Sequence, residues 1–376
     1  MIESDRKRLM KGVRRVVVKV GSGIITSRSH GLIKERFAAI AAQVARAVGD
    51  GREVILVSSG AVAAGVAAMS LRELHGIPMR QAAAAVGQSR LIWKYEKHFQ
   101  EHRLGVAQVL LTQDDVANRR RFLNARNTFA TLLALGIIPI VNENDSVVVE
   151  EIKFGDNDTL SGLVATLVDA DLLLILSDVD GLYTADPKRD PDARLIGTVQ
   201  SIDDTVRAMA TGPTTREGTG GMITKLRTAQ RLADLGIPTL LVNGTLDDGL
   251  TRALAGDKLG TLFEAAGVPK AAKKHWLAHV ARVDGVLHLD AGAVAALRDG
   301  KKSLLPSGIT AVEGHFEMGE GVSCVGPDGR EVARGLTNYG AADVARIKGK
   351  KSSEIEAILG QKAYDEVIHR DNLTVL

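Results

Sequence analysis

Through the first two-thirds of the chain, short runs rich in β-branched residues and leucine alternate with longer segments whose apolar positions recur every three or four residues. The short runs fall at 16–20, 53–57, 106–111, 137–141, 172–176 and 239–242. They do not alternate apolar with polar, which predicts strands buried on both faces, as in a parallel sheet. The periodic segments at 35–48, 81–102, 121–135, 160–168 and 223–235 predict amphipathic helices. Strands separated by helices of this length call for βαβ crossovers, so the expected fold class is α/β with a mainly parallel sheet.

Near Glu264 the pattern changes. The stretch 264–274 (EAAGVPKAAKK) is rich in Gly, Pro and Lys and reads as a linker. Beyond it, shorter alternating runs at 285–289, 308–312, 321–325 and 331–336 predict a β-rich module with one helix at 291–298. Pro327-Asp328-Gly329-Arg330 between two of these runs is a hairpin signal. The expected division is a first domain over 1–264, a linker over 265–274 and a second domain with its tail over 275–376.

Composition narrows the class. A chain of 376 residues exceeds one ordinary core, at about 150 residues per domain. Its 45% hydrophobic and 25% charged content is that of a globular protein. A net charge of +3 gives no support to a protein that coats nucleic acid. The single cysteine, Cys324, excludes an internal disulfide and a thiolate zinc cluster. Arg6 to Arg15 is basic like the start of a secretory signal, but the apolar run after it is short and interrupted by Lys19. No apolar stretch approaches the ~20 residues that span a bilayer, so no membrane partner and a cytoplasmic location are expected.

In an open parallel sheet ligands bind beyond the carboxyl ends of the strands. The first strand carries Lys19 near its end and is followed by Gly21-Ser22-Gly23; the second is followed by Ser58-Ser59-Gly60. Small residues there let backbone N–H groups approach an anion, although each run taken alone also reads as a turn. After the run at 137–141 come Asn142, Glu143, Asn144 and Asp145, then Asp156-Asn157-Asp158-Thr159 before a helix. This gathers carboxylates and amides that would grip an ammonium; the plainer reading has Asn157 or Asp158 as a helix N-cap. Ser177 and Asp178 follow the next strand, with Tyr183 to line a base or ribose pocket. Finally Gly218-Thr219-Gly220-Gly221-Met222-Ile223-Thr224-Lys225 is a glycine turn that opens a helix and places a lysine in its first turns, which suits phosphate. It is not a GxxxxGK[ST] loop, and no GxGxxG is present.

VKVGSG, VSSGAVAAG, NENDSV, FGDNDTLS, SDVDGLYTADP and GTGGMITK, in this order, resemble the amino acid kinase superfamily, and within it the branch acting on free glutamate. The resemblance covers 16 to about 263, and the tail resembles a PUA domain. It implies an αβα sandwich, ATP as co-substrate with Mg²⁺, and direct transfer of a phosphoryl group to the side-chain carboxylate of L-glutamate. By the same resemblance Lys19, Asp158 and Lys225 are catalytic. Ser59, Asn142, Asp145 and Asn157 bind glutamate, and Lys19, Ser177, Asp178 and residues 219–225 (Thr219, Gly220, Gly221, Met222, Ile223, Thr224, Lys225) bind ATP. No protein metal ligand is assigned. The family also implies a homo-oligomer (dimer or tetramer) and proline as a feedback inhibitor. The PUA tail raises RNA as a partner through Lys301, Lys302, Lys348, Lys350 and Lys351, but such a charge run is usually a solvated face.

His98 and His102 match the HxxEH pattern of inverted zinc peptidases. With Lys94, Lys97 and Arg103 around them, they are expected on the exposed end of a helix instead. His275 and His279 read as packing of the joint around Trp276.

Overall fold

The computed structural model describes residues 3–27, 31–71, 73–147, 157–187, 189–210, 221–265, 283–298 and 302–376. They fall into two compact units, drawn from Met1–Val116 with Arg126–Gly267 and from Ala117–Ala125 with Val268–Leu376. The expected linker, with His275 and His279, lies outside the described residues apart from its first positions.

The amino-terminal part runs α1 (Glu3–Gly12), β1 (Arg15–Val20), α2 (Ser22–Ile25), β2 (Thr26–Ser27), β3 (Gly31–Leu32), α3 (Lys34–Gly49), β4 (Glu53–Ser58), α4 (Ala61–Ala68) and α5 (Gly76–Gln100). It continues through β5 (Val106–Leu111), α6 (Gln113–Ala117), α7 (Arg119–Ala134), β6 (Ile138–Glu143), α8 (Asn157–Leu167) and β7 (Leu172–Ser177). Then come β8 (Thr198–Val199), α9 (Asp204–Ala210), α10 (Met222–Asp234), β9 (Thr239–Asn243), α11 (Gly249–Leu254) and β10 (Thr261–Phe263).

Eight strands form one sheet in the order β5-β6-β4-β1-β7-β9-β10-β8. All neighbouring pairs are parallel except β9 with β10. The central strands are apolar because helices cover both faces: Val16, Val17, Val18, Ile55, Leu56, Leu173, Leu174, Leu240 and Leu241 are all fully buried. Each predicted strand is present to within a residue or two at its ends. Helix α5 begins earlier than the apolar period indicated, at Gly76, because Pro78 is tolerated in a first turn where its missing N–H has no partner to lose.

Two glycines set the helix packing beside the site. A Cβ on Gly65 of α4 would lie 1.7 Å from the Ala83 carbonyl oxygen, and one on Gly87 of α5 would lie 1.8 Å from that of Ala61. The α4 and α5 backbones therefore touch, which only glycine permits at those positions. Likewise a Cβ substituent beyond hydrogen at Gly162 of α8 would sit 2.7 Å from Thr228 Cγ2 of α10.

The basic amino terminus is not signal-like in structure. It forms α1, and the nearly buried Arg6 clamps three backbone carbonyls: Nη1 to Asp257 (3.1 Å) and Leu259 (2.9 Å), Nη2 to Gly197 (2.7 Å). Burial lowers the affinity of its guanidinium for a proton from the ordinary arginine value.

In the second unit, β11 (Val283–Leu289), β12 (Ile309–Gly314), β13 (Gly321–Val325), β14 (Glu331–Leu336) and β15 (Leu373–Val375) make a sheet ordered β12-β11-β13-β14-β15. The predicted hairpin joins β13 to β14, with Gly329 at φ +74°. The single expected helix, α12 (Ala291–Arg298), has company: α13 (Ala341–Ile347) and α14 (Ile355–Leu359) also form. Both are too short to show a clear apolar period, so tertiary packing of Val344, Ile347 and Ile355 decides them. Cys324 lies in this core, where burial first and the Glu331 charge second push its thiol up to about 12.

Candidate active site

Strand β1 sits between β4 and β7, with Lys19 opposite Val57 on one side and Ile175 on the other. A lysine in an otherwise apolar buried strand demands a counter-charge. Asp158, in the first turn of α8, supplies it: Lys19 Nζ lies 2.5 Å from Asp158 Oδ1. Lys225 Nζ of α10 donates to the other oxygen, Asp158 Oδ2, at 2.8 Å, and Thr224 Oγ1 reaches the same oxygen at 3.3 Å. Asp158 is wholly inaccessible and both lysines are only 5% exposed. Burial alone would raise the Asp158 carboxyl; the ammonium groups of Lys19 and Lys225 override that and hold it below the ordinary carboxylate value. Asp158 is thus no N-cap. It lies inside α8, its side chain spent on two lysines, while Ser161 Oγ caps its carbonyl at 2.6 Å.

On the β4–β6 side the amides gather. Asn157 Nδ2 donates to Ser59 Oγ (2.8 Å), Asn142 Oδ1 (3.0 Å) and the Ser58 carbonyl (3.3 Å). Gly60, at φ +106°, makes the turn that follows Ser59, and that conformation calls for glycine. Asp145 lies in the turn after β6, half-buried. Burial pushes its carboxyl up, and the Arg80 guanidinium of α5 opposes the shift.

On the β7 side, Ser177 ends the strand and its Oγ lies 3.2 Å from Asp178 Oδ1. A Cβ on Gly23 would stand 3.6 Å from Asp178 Oδ2, so the glycine turn after β1 lies against this loop. Met222, Ile223, Thr224 and Lys225 open α10 immediately after Gly221. Thr219 and Gly220 lie outside the described residues, as does 148–156. Tyr183, expected near a base or ribose, bonds through its hydroxyl to Asp180 Oδ2 at 3.0 Å, and Asn243 Nδ2 holds the other Asp180 oxygen at 2.8 Å.

Two residues of α5, Gln88 and Arg80, reach this site without any signal in the strand-end pattern. The HxxEH reading is corrected in a different way from that expected. His98 is buried, only 2% exposed, rather than at a solvated helix end, and His102 lies in the turn beyond α5. Among the described residues no three His, Cys, Asp or Glu side chains are grouped to hold a metal ion. In the second unit Lys302, Lys348, Lys350 and Lys351 are exposed.

The arrangement is a buried cluster of net charge +1, flanked by a hydrogen-bonded group of amides on the β4–β6 side and a hydroxyl-bearing loop after β7. It can receive a polyphosphate and present it to a second, polar substrate.

The chain matches the amino acid kinase family over residues 14–243 and the PUA domain over residues 285–359. A glutamate 5-kinase of Geobacter sp. (strain M21) is 52% identical over 372 residues, covering 99% of this chain and 100% of that one. That of Citrifermentans bemidjiense is also 52% identical, and that of Geobacter sulfurreducens 50% identical, each over 372 residues with the same two coverages.

Proposed function

The chain belongs to the amino acid kinase family, and from that membership we infer that it transfers the γ-phosphoryl group of ATP to the side-chain carboxylate of free L-glutamate. The product is L-glutamyl 5-phosphate, with which proline biosynthesis begins. The observation that carries the reading is the Lys19–Asp158–Lys225 cluster, standing at the seam between the amide pocket and the loop after β7.

A glutamate carboxylate is already an anion, so the attack needs no general base. One oxygen forms a bond to the γ-phosphorus, the bond from that phosphorus to the β–γ bridging oxygen breaks, and ADP leaves with the electron pair. What remains for the protein is to align the two anions and to neutralise the charge spread over the transferring group. Lys19 and Lys225 do the second task. As compact charges on flexible stems they follow moving oxygens better than a guanidinium fork. Asp158 holds the two ammonium groups together before ATP arrives. Ser177, Asp178 and the start of α10, with residues 219–221 before it, hold the nucleotide. Mg²⁺ would come in with ATP and would supply further positive charge to the phosphates.

Ser59, Asn142, Asn157 and Asp145 take the amino acid. Asp145 pairs with the α-ammonium, which an N-acylated substrate lacks. Replacing Asp145 by alanine is expected to raise the glutamate KM about 10- to 100-fold through loss of one charged hydrogen bond, leaving the ATP KM near its original value. Equal losses for both substrates would remove this pairing. Because burial raises the Asp145 carboxyl, its anion is lost earlier on acidification than that of an ordinary carboxylate. The glutamate KM should rise correspondingly in mild acid, and the alanine variant should lack that rise.

Domain bounds at 1–264 and 275–376, a homo-oligomer and feedback by proline belong to the same proposal, on the strength of the resemblance. The test of the reaction is ATP- and Mg²⁺-dependent formation of acyl phosphate, trapped by hydroxylamine as the hydroxamate, with free L-glutamate, N-acetylglutamate and L-aspartate compared. Hydroxamate from free glutamate alone is the expected result. Product from another acceptor, or from none, would overturn the assignment.

A further inference from the structure

We propose that Gln88 of α5 is a positioning residue for the acceptor pocket, fixing the Asn142 amide and, through it, the face that Asn157 turns to the substrate; this rests on the glutamate reading above. The chain of bonds is short and directed. Asn142 is 3% exposed, and its Nδ2 donates to Gln88 Oε1 at 2.7 Å. Its Oδ1 accepts from Asn157 Nδ2 at 3.0 Å. Asn157 Nδ2 spends its two hydrogens on Asn142, Ser59 Oγ and the Ser58 carbonyl. Its Oδ1 is then the atom left to accept an N–H from the amino acid.

An amide carries a donor and an acceptor on one planar group, and a half-turn exchanges them. Nothing in the Asn142–Asn157 contact by itself prevents Asn142 from turning once its Nδ2 has no acceptor. Turned, it would offer Nδ2 to Asn157 Nδ2, donor against donor, and the bond that helps hold Asn157 would be lost, leaving Asn157 placed by Ser59 Oγ and the Ser58 carbonyl alone. Gln88 Oε1 gives Asn142 Nδ2 its acceptor in the observed orientation, and a side chain at 88 without an amide would take that acceptor away. Leaving a buried N–H unpaired costs more than the bond is worth when made.

The helix contact explains how a residue of α5 reaches a strand-end pocket at all. Gly87 lets α5 touch α4 at Ala61, two residues beyond Ser59; a Cβ there would be 1.8 Å from the Ala61 oxygen and 2.4 Å from Gly65 N. Gln88 is thereby set against the Ser59 turn. Two helical turns further on, Tyr95 lies on the same face of α5, and its hydroxyl meets Ser58 Oγ at 2.9 Å. The same face of α5 therefore braces the acceptor loop at two points.

The test is a double-mutant cycle on hydroxamate formation with Gln88→Leu, Asn142→Ala and the two combined, giving kcat and both KM values for each, with thermal unfolding of each variant alongside. Gln88→Leu is expected to raise the glutamate KM about 5- to 10-fold, the worth of one part-buried hydrogen bond, with the ATP KM little changed and the unfolding midpoint lowered by about 2–4 °C for the Asn142 N–H left unpaired. In the Asn142→Ala background the same change should add almost nothing, since Gln88 acts through Asn142. An unchanged glutamate KM, a parallel rise in the ATP KM, or full additivity would overturn the role of Gln88 while leaving the kinase reading intact. A wild-type chain that makes no hydroxamate from glutamate would overturn both.

Discussion

Alanine at Lys225 is expected to lower kcat about 10²- to 10³-fold, the usual consequence of removing one charge-stabilising donor from a dry site, while the chain keeps its fold. The fold survives because the deletion leaves a matched pair. Lys19 still sits 2.5 Å from Asp158 Oδ1, so the buried carboxylate retains one full counter-charge. What goes is the ammonium at Asp158 Oδ2, 2.8 Å away at the start of α10. On the proposed reading that group meets most charge while the phosphoryl group is in flight, so the loss should fall chiefly on kcat and less on either KM. Arginine should not restore the rate, because its planar fork favours one fixed geometry over a moving oxygen. Turnover of the alanine variant within a few-fold of wild type, at saturating ATP and glutamate, would remove Lys225 from the mechanism.

The position of these groups follows from the sheet order. With β1 between β4 and β7, Lys19 stands at the boundary between two sets of strand ends. Ser59 and Asn142 come from the β4 and β6 side, Ser177 and Asp178 from the β7 side. On the proposed reading the acceptor and the nucleotide are held from different strands, with the Lys19–Asp158–Lys225 cluster between them. Gly162 brings α8 and α10 close enough for Asp158 and Lys225 to meet, as the 2.7 Å approach to Thr228 indicates.

Much of this was legible in the sequence for a physical reason. Strands buried on both faces must be largely apolar, so β1, β4, β6, β7 and β9 stand out as runs, and Lys19 stands out within one of them; β5, at the sheet edge, is only partly buried and carries the exposed Gln108. Polar residues collected just after such runs pointed to the strand-end site. The remainder depends on contacts that no local pattern carries. Arg6 reads as part of a basic tail, because its three acceptors are backbone carbonyls at 197, 257 and 259. Gln88 lies mid-helix, where neither a strand end nor a glycine turn marks it, and its link to Asn142 spans 54 residues. His98 looked solvated because its sequence neighbours are charged, yet the face of α5 it shares with Leu91 and Tyr95 is the buried one. Asp158 taken by itself also read as a helix cap, a role open to any aspartate at that point; the resemblance grouped it with Lys19 and Lys225, and both lysines, from β1 and α10, do reach it.

Asparagine at Asp158 should have the largest effect on stability, because it leaves two buried ammonium groups without a counter-charge. Breaking a buried ion pair by removing one partner costs about 3–5 kcal/mol, a large share of the ~5–15 kcal/mol that holds a typical domain folded. The amide cannot serve both lysines: one oxygen faces an ammonium, but the NH₂ group faces the other, donor to donor. The wild-type carboxyl is held below its ordinary value, so its contribution is full above the unfolded-state value of about 3.9 and is lost as pH falls through the lower folded value. The gap between wild type and variant, measured by urea unfolding, should therefore be wide at neutral pH and should close on the acid limb, where the aspartate too is neutral. Polyphosphate supplies the missing negative charge, so ATP should raise the unfolding midpoint of the variant by more than that of wild type. A gap under about 1 kcal/mol at neutral pH, or one that persists undiminished in acid, would mean that Asp158 does not hold the two lysines together; the cluster would then assemble only when phosphate is bound.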